Sequence, residues 1–328
     1  MSFLPPRTQD LYPRHLYLET LSSGGSLLGE DGNLMGFERK RDGKHRDTEV
    51  KRKRVSPLEG FYLYCVRKSR GASSLFLTKG IDEKGGVFTR TYQGLEAVVS
   101  KVSLEEFDSE TIHIKAQNDL QWIKEKAVLH ETVIEEAMRN GGEILSLIPM
   151  KFGTIFKEEK ALQETLNKHH EQFKDTLEKL EGKQEWGVKA YLTDQNKFEQ
   201  AVKENNAAIQ EKEREIAGLP EGMAFFMEEE LKEVISSEVN KELHHVVEGL
   251  YESLSRQAEA SVHNNILGRE LTGKREPMIL NAACLVAEEK IEEFKEAAQR
   301  LNQEIQEKGI YLEFSGPWPA YHFPTLEK

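Results

Sequence analysis

A chain of 328 residues, 38% hydrophobic and 31% charged, has room for two domains with modest cores and a heavily charged surface. Its net charge of −12 argues against nucleic acid as a partner, and no apolar run approaches the roughly 20 residues of a membrane span. Met1-Ser2-Phe3-Leu4-Pro5-Pro6 lacks the basic flank and apolar core of a secretory signal, so the cytosol is the expected compartment.

Residues 1–55 hold 11 Lys/Arg against 8 Asp/Glu, with the basic part concentrated in Glu38–Arg54 and ending in Lys51-Arg52-Lys53-Arg54. The run has no interleaved aromatics, and the rest of the chain is acidic and repels phosphate. Residues 1–57 are therefore expected to form a solvated, flexible N-terminal extension.

The first regular element is Phe61-Tyr62-Leu63-Tyr64-Cys65-Val66-Arg67, a strand by its aromatic and β-branched content. Val87–Tyr92 and Leu95–Val102 follow, separated by Gln93-Gly94, the spacing of a tight hairpin. Asn118 or Asp119 is placed to cap a helix running to about Arg139, with Leu120, Ile123, Ala127, Val133 and Ile134 among its apolar residues. Asn140-Gly141-Gly142 stops it, and Glu143–Ile148 returns as a strand that runs into Pro149-Met150-Lys151-Phe152-Gly153-Thr154. Residues 58–156 thus read as an N-terminal α+β domain.

A helix over about Lys157–Leu180 opens the second half, with Leu162, Leu166, His169, Phe173, Leu177 and Leu180 on one stripe. Trp186, Val188, Ala190 and Leu192 alternate as a half-buried strand. A long charged helical region comes next, broken at Gly218-Leu219-Pro220, its later part carrying Leu231, Ile235, Val239, Leu243, Val246, Leu250 and Leu254. The period shortens towards two over Ala260–Leu267. A polar loop, Gly268–Pro277, then leads to the apolar strand Met278–Ala287, a helix Glu288–Lys308 and a last strand Ile310–Phe314. This order, β, α, β, β, α, β with an enlarged first helical crossover, is the plan of a modified ferredoxin-like fold over residues 157–315. The fold class is two-domain α+β.

Three prolines and three large aromatics crowd into Gly316-Pro317-Trp318-Pro319-Ala320-Tyr321-His322-Phe323-Pro324. Proline at alternate positions excludes helix and central strand, and so much exposed aromatic surface demands a docking place. The tail, residues 316–328, either laces back onto its own protein or binds a partner. Following directly on the last strand, it is positioned to leave the second domain's sheet edge and reach the first domain.

Residues able to carry chemistry are sparse. The chain has no G-x-S-x-G elbow, no P-loop, and no G-x-G-x-x-G after a strand. Glu242-Leu243-His244-His245 contains a Glu-x-x-His pair with Glu238 one turn before it, but the second such unit of a di-iron bundle is missing. Neither His169-His170 nor His244-His245 can chelate from one helix face. Lone His130, on an apolar helix, reads as a hydrogen-bonded core or domain-interface residue. Cys65 and Cys284 read as buried small hydrophobes. Pro149–Thr154 reads either as a structural corner between the two halves or as a partner-facing surface.

These segments resemble the gas vesicle protein F/L family over about Tyr62 to Phe323. The strand YLYCV, Gly80-Ile81, GLEAVVSKV, and Trp122 with Ala127 and His130 are similar to that family's first domain. IPMKFGTIF resembles its P-[LM]-[RK]-F-G-T signature, EWGVKAYL its E-W-G-[LV]-K strand, LNAACLV its buried strand, and SGPWPAYHF its terminal [TS]-G-P-W-P-P-Y-x-F. Lys151 stands where arginine is common and Ala320 where a second proline is usual.

The resemblance implies a non-enzymatic accessory protein of gas vesicle assembly, without cofactor, metal or small-molecule substrate. Its implied partners are the small hydrophobic shell subunit and other gas vesicle accessory proteins, which it would serve as chaperone or nucleation component. Candidate domain-joint and partner-binding residues are His130, Pro149, Lys151, Phe152, Gly153, Thr154, Trp186, Gly316, Pro317, Trp318, Pro319, Tyr321 and Phe323. Two alternatives stay open: a metal- or small-molecule-dependent enzyme on a ferredoxin-like scaffold, and a helical scaffold oligomerising through the stripes Leu162–Leu180 and Leu231–Leu254.

Overall fold

A computed structural model describes residues 58–71, 76, 78–140 and 142–324. The expectations for residues 1–57 and for the last four residues lie outside the described residues.

Aromatic and β-branched side chains carry the first sheet. Strand β1 (Glu59–Lys68) is its centre, and is buried without a break from Tyr62 to Arg67. Since side chains alternate across a strand, a continuous run of this kind means that both faces are covered. On one side of β1 lies β3 (Leu95–Ser103), followed outward by β2 (Val87–Tyr92); on the other side β6 (Leu147–Pro149) and β7 (Ile155–Phe156) pair with β1. All of these pairs are antiparallel. The Gln93-Gly94 hairpin forms as expected: both residues have positive φ, 43° and 84°, as a two-residue turn of this hand requires.

Helix α1 (Ser109–Asn118) starts at Asp108, whose Oδ1 accepts from the amide of Thr111 at 2.8 Å, and α2 (Leu120–Met138) starts at Asp119, which accepts from Trp122 at 3.0 Å. The sequence reading located α2 and passed over α1. In α1 Ile112 is buried while Ile114 is 52% exposed, so no wide apolar stripe marks it. Val133, Ile134, Ala137 and Met138 of α2 join Tyr62, Tyr64, Cys65, Val98 and Phe107 in the core. The expected strand Glu143–Ile148 is divided. Its start, β5 (Glu143–Ile144), pairs with β4 (Arg139–Asn140), and only Leu147 onward joins the main sheet.

The stripe Leu162–Leu180 forms two helices, α3 (Glu159–Lys168) and α4 (His170–Leu180), broken at His169. Its five apolar members are buried. Both helices pack on the first sheet. Arg90 Nε donates to Glu159 Oε1 at 2.6 Å, the Tyr92 hydroxyl to Asn167 Oδ1 at 3.0 Å, and Ser146 Oγ to the Leu180 carbonyl at 2.9 Å. The chain accordingly divides into two compact units at Glu181/Gly182, and the boundary expected between residues 156 and 157 moves past α4. The period of an amphipathic helix reports a buried face without saying which sheet buries it.

In the second unit, β8 (Lys183–Leu192), β9 (Ala260–His263), β10 (Met278–Ala287) and β11 (Ile310–Trp318) pair antiparallel in the order β11-β8-β10-β9. Between β8 and β9 run α5 (Gln195–Asn205), α6 (Ala207–Ala217) and α7 (Glu221–Ser255). A short turn, α8 (Arg269–Thr272), precedes β10, and α9 (Ile291–Gln306) links β10 to β11. Trp186, Val188, Ala190, Leu280, Ala282 and Cys284 face Phe198, Val202, Leu250, Leu254, Phe294 and Ala298 in the main core. Ile209 and Ile216 of α6 meet Leu231 and Ile235 of α7 in a smaller one. The leucine stripes are thus consumed within the chain, which removes the reading of a scaffold oligomerising through them. Both cysteines are buried and free, and burial pushes each thiol up to about 12, as small packing groups should behave.

Candidate functional site

The candidate residues fall into two sets, one in each unit. The first is built on the segment Pro149–Thr154. Met150 donates its amide to the Tyr64 carbonyl at 2.8 Å, and the Leu63 amide donates to the Thr154 carbonyl at 2.9 Å, so the segment leaves β1 and returns to it within five residues. Thr154 closes the loop on itself, its amide and hydroxyl both donating to the Lys151 carbonyl at 3.2 and 2.6 Å. Gly153 sits at φ +78°, a conformation that glycine adopts freely.

Beneath the loop runs a chain of hydrogen bonds through His130, which is fully buried. Its Nε2 lies 3.2 Å from the Met150 carbonyl, its Nδ1 lies 2.9 Å from the Tyr62 hydroxyl, and that hydroxyl is 3.0 Å from the Gly153 amide. The carbonyl only accepts, so Nε2 carries the proton and Nδ1 the lone pair. Tyr62 therefore donates to His130 and accepts from Gly153. Burial pushes the imidazole down to about 3, which keeps the ring neutral as this pattern needs. Phe152 sets its ring edge-on to Tyr62 and His130, with centroids at 6.1 and 5.9 Å. Pro149 and Met150 are buried, while Lys151 to Thr154 are half-buried. His130 thus bears on any outer surface only through the loop that it holds.

The second set is built on the outer edge of β8. Strand β11 continues past Phe314 to Trp318, with a register shift between Ser315 and Trp318 that takes up Gly316 and Pro317, joined by a cis peptide. Proline is tolerated there because an edge strand needs no second ladder of amide donors. Trp186 stacks on Phe314, with 4.7 Å between centroids, and Lys295 Nζ lies 5.2 Å from the Trp186 ring centre. On the neighbouring residue of β8, the carboxyl of buried Glu185 accepts twice from His322, at 3.1 Å from the amide and 2.7 Å from Nδ1. Trp318 and Pro319 are buried; Gly316, Pro317, Tyr321 and Phe323 are half-buried. Through Phe323 the tail belongs to the second unit, laced to that unit's own sheet edge rather than leaving it as expected.

Sequence reasoning passed over Tyr62, Glu185 and His322 as anchors. For Glu185 a signal exists: it is the one acidic residue of a central strand and sits beside the apolar alternation Trp186, Val188, Ala190 and Leu192, and a buried carboxyl there needs a partner. The Glu-x-x-His pair of α7 lines a cleft of about 460 Å³ together with Phe198, Asn206, Lys241 and Lys308. There Lys308 Nζ lies 3.3 Å from Glu242 and Lys241 Nζ 2.6 Å from Glu238, so each carboxylate already faces an ammonium. Among the described residues no group of three His, Cys, Asp or Glu side chains is arranged to hold a metal, and no helix is long and apolar enough to cross a membrane.

Comparison with known proteins supplies a family. The profile described as "Gas vesicle synthesis protein GvpL/GvpF" matches residues 60–325. Gas vesicle protein L1 of Halobacterium salinarum is 26% identical over 279 residues, which cover 82% of this chain and 92% of that protein. Gas vesicle protein L of a Streptomyces species is 27% identical over 234 residues, 71% of this chain and 80% of the relative. Among solved structures, the gas vesicle protein GvpF of an Anabaena species superposes with a TM-score of 0.60 at 19% identity, covering 82% of this chain and all of that one. GvpF from Microcystis aeruginosa gives 0.54, and these two likenesses speak for the mixed α and β fold with its two main sheets. With the match running from β1 through the laced tail, the chain belongs to the gas vesicle GvpL/GvpF family.

Proposed function

We propose that this protein is a non-enzymatic assembly factor that binds the small hydrophobic shell subunit of gas vesicles, and other gas vesicle accessory proteins, before or during shell growth. The observation that carries the reading is the family match over residues 60–325, which takes in both motif-bearing segments, Pro149–Thr154 and Gly316–Phe323. The physics is compatible. Hydrogen bonding holds both segments rigid, the first through Tyr62 and His130 and the second through Glu185 and His322. Half-buried Phe152 on one unit, and Tyr321 and Phe323 on the other, offer pre-ordered apolar contact at low entropic cost, and Lys151 sets a positive charge beside Phe152. In this proposal the second unit, with its sheet order β11-β8-β10-β9 and three-helix first crossover, is a modified ferredoxin-like domain, and the protein works in the cytoplasm at the vesicle.

The test joins a cell assay to a binding assay. Deleting the gene should strongly reduce gas vesicle number by electron microscopy, and the tagged full-length chain should co-precipitate the shell subunit, less of it with Lys151→Glu. Normal vesicle numbers in the deletion strain, or no shell subunit recovered with the wild-type chain, would sink the proposal.

A further inference from the structure

Three large apolar side chains face solvent within one turn at the start of α7: Met223, Phe225 and Phe226 are 57%, 60% and 73% exposed. The inward face of this turn is already filled, since Ala224, Met227, Leu231 and Ile235 pack on Ile209 and Ile216 of α6. At about 100° per residue, Phe226 points away from that face. The rings of Phe225 and Phe226 meet edge to face, 5.9 Å apart, and form one block. Burial in this unit does not account for them, and soluble surfaces seldom keep such a cluster uncovered.

The surroundings of the block say what would cover it. Glu229 and Glu230 lie one turn beyond Phe226 and Glu233 two turns beyond, while Glu221 and Glu228 flank Phe225; all five are exposed. Lys232, 2.6 Å from Glu229, is the only basic residue in residues 221–233. An apolar knob leading into an acidic ridge suits a partner whose apolar face is bordered by lysine or arginine. Nucleic acid and anionic lipid are repelled by the ridge. A second copy of this chain, itself at −12, would set glutamate against glutamate in a two-fold pairing.

We propose that the tip of the α6–α7 hairpin is a docking knob for a partner protein's amphipathic helix, with Met223, Phe225 and Phe226 entering its apolar face and Glu229, Glu230 and Glu233 meeting basic residues at its border. The site uses none of the residues of the two surfaces above, and it stands or falls independently of whether the shell subunit is a partner.

The probe is a fluorescein-labelled synthetic helix with a leucine face bordered by lysines, compared by anisotropy with a twin bordered by glutamates, against the full-length chain. The lysine peptide should bind about tenfold more tightly or better, and weaken as salt rises. Phe225→Ser with Phe226→Ser should lose about tenfold in affinity while the melting temperature holds, since the replaced side chains are exposed. Glu229→Lys with Glu230→Lys should reverse the preference between the peptides. Equal affinity for both peptides, no binding by the wild-type chain, or unchanged binding by the serine variant overturns the proposal. Light scattering that shows wild-type dimers falling apart in the serine variant also overturns it, by giving the knob to a second copy.

Discussion

Trp186 lies flat on Phe314, with ring planes 7° from parallel, and a Cβ added to Gly316 would stand 2.8 Å from Trp186 Cε3 and 3.1 Å from the Glu185 carbonyl. The backbone of residue 316 is therefore in contact with the indole, at φ +148°, where no other residue sits comfortably. Gly316→Ala should destabilise the protein by about 1–3 kcal/mol in urea unfolding. Gly249→Ala is the counterpart. That glycine lies inside α7 with nothing within 4 Å of its Cβ, so the same added methyl should stabilise by about 1 kcal/mol. Equal effects at the two sites would contradict the packing described.

The buried imidazole of His130 predicts an acid sensitivity of known sign. Its pKa falls from 6.5 to about 3 on folding, so between those values the unfolded chain binds the extra proton. The stability that the neutral ring contributes is complete above pH 6.5 and drains away as pH falls from there towards about 3, with a slope of up to about 1.4 kcal/mol per pH unit. Denaturant unfolding across this range should show that component in the wild-type chain and lack it in His130→Gln.

Tyr62→Phe removes the hydroxyl that both Gly153 and His130 use. Each loses that partner in a buried place, at about 1–3 kcal/mol for the variant as a whole. Hydrogen exchange at the Gly153 amide should accelerate with it.

Arg67 and Glu96 form an ion pair at 2.7 Å with side chains only 4% and 2% exposed, and Arg67 Nη1 also donates to the Ala137 carbonyl at 2.6 Å. Replacing one member strands the other. Glu96→Ala should destabilise the first unit by about 3–5 kcal/mol, read as a loss of its denaturation midpoint.

The boundary at Glu181/Gly182 predicts how fragments behave. A fragment of residues 58–181 retains Leu162, Leu166, Phe173, Leu177 and Leu180 over the first sheet, and should unfold cooperatively as a monomer. One ending at residue 156 bares the apolar surface that α3 and α4 cover, and should aggregate in gel filtration.

Much of this arrangement was legible because the strands carry their own chemistry. Tyr62-Leu63-Tyr64-Cys65-Val66 and Ala282–Ala287 are aromatic, β-branched or apolar without interruption, and both lie in central strands. The tail's need for a home could be read from its aromatics, but its prolines excluded only helix and central strand, and its place on the edge of β8 came from pairing that the expected end of the strand at Phe314 did not foresee. What stayed hidden depends on contacts far apart in sequence: which sheet receives α3 and α4, which hydroxyl meets His130, and which carboxyl receives His322, 137 residues away from Glu185. Helix α1 was missed for a different reason, since its capping Asp108 was visible but its apolar residues make no stripe.

The pairing of Ile310 with Leu192 also sets an order of events during synthesis. Every described strand and helix of the first unit has emerged by Glu181, so that unit can close while the rest is still being made. Strand β8 then waits with both edges open until β10 (Met278–Ala287) appears, and with one edge open until residues 310–318 follow. Through that interval its unpaired edge is exposed to mispairing, and stands to gain from a chaperone or an early partner that covers it.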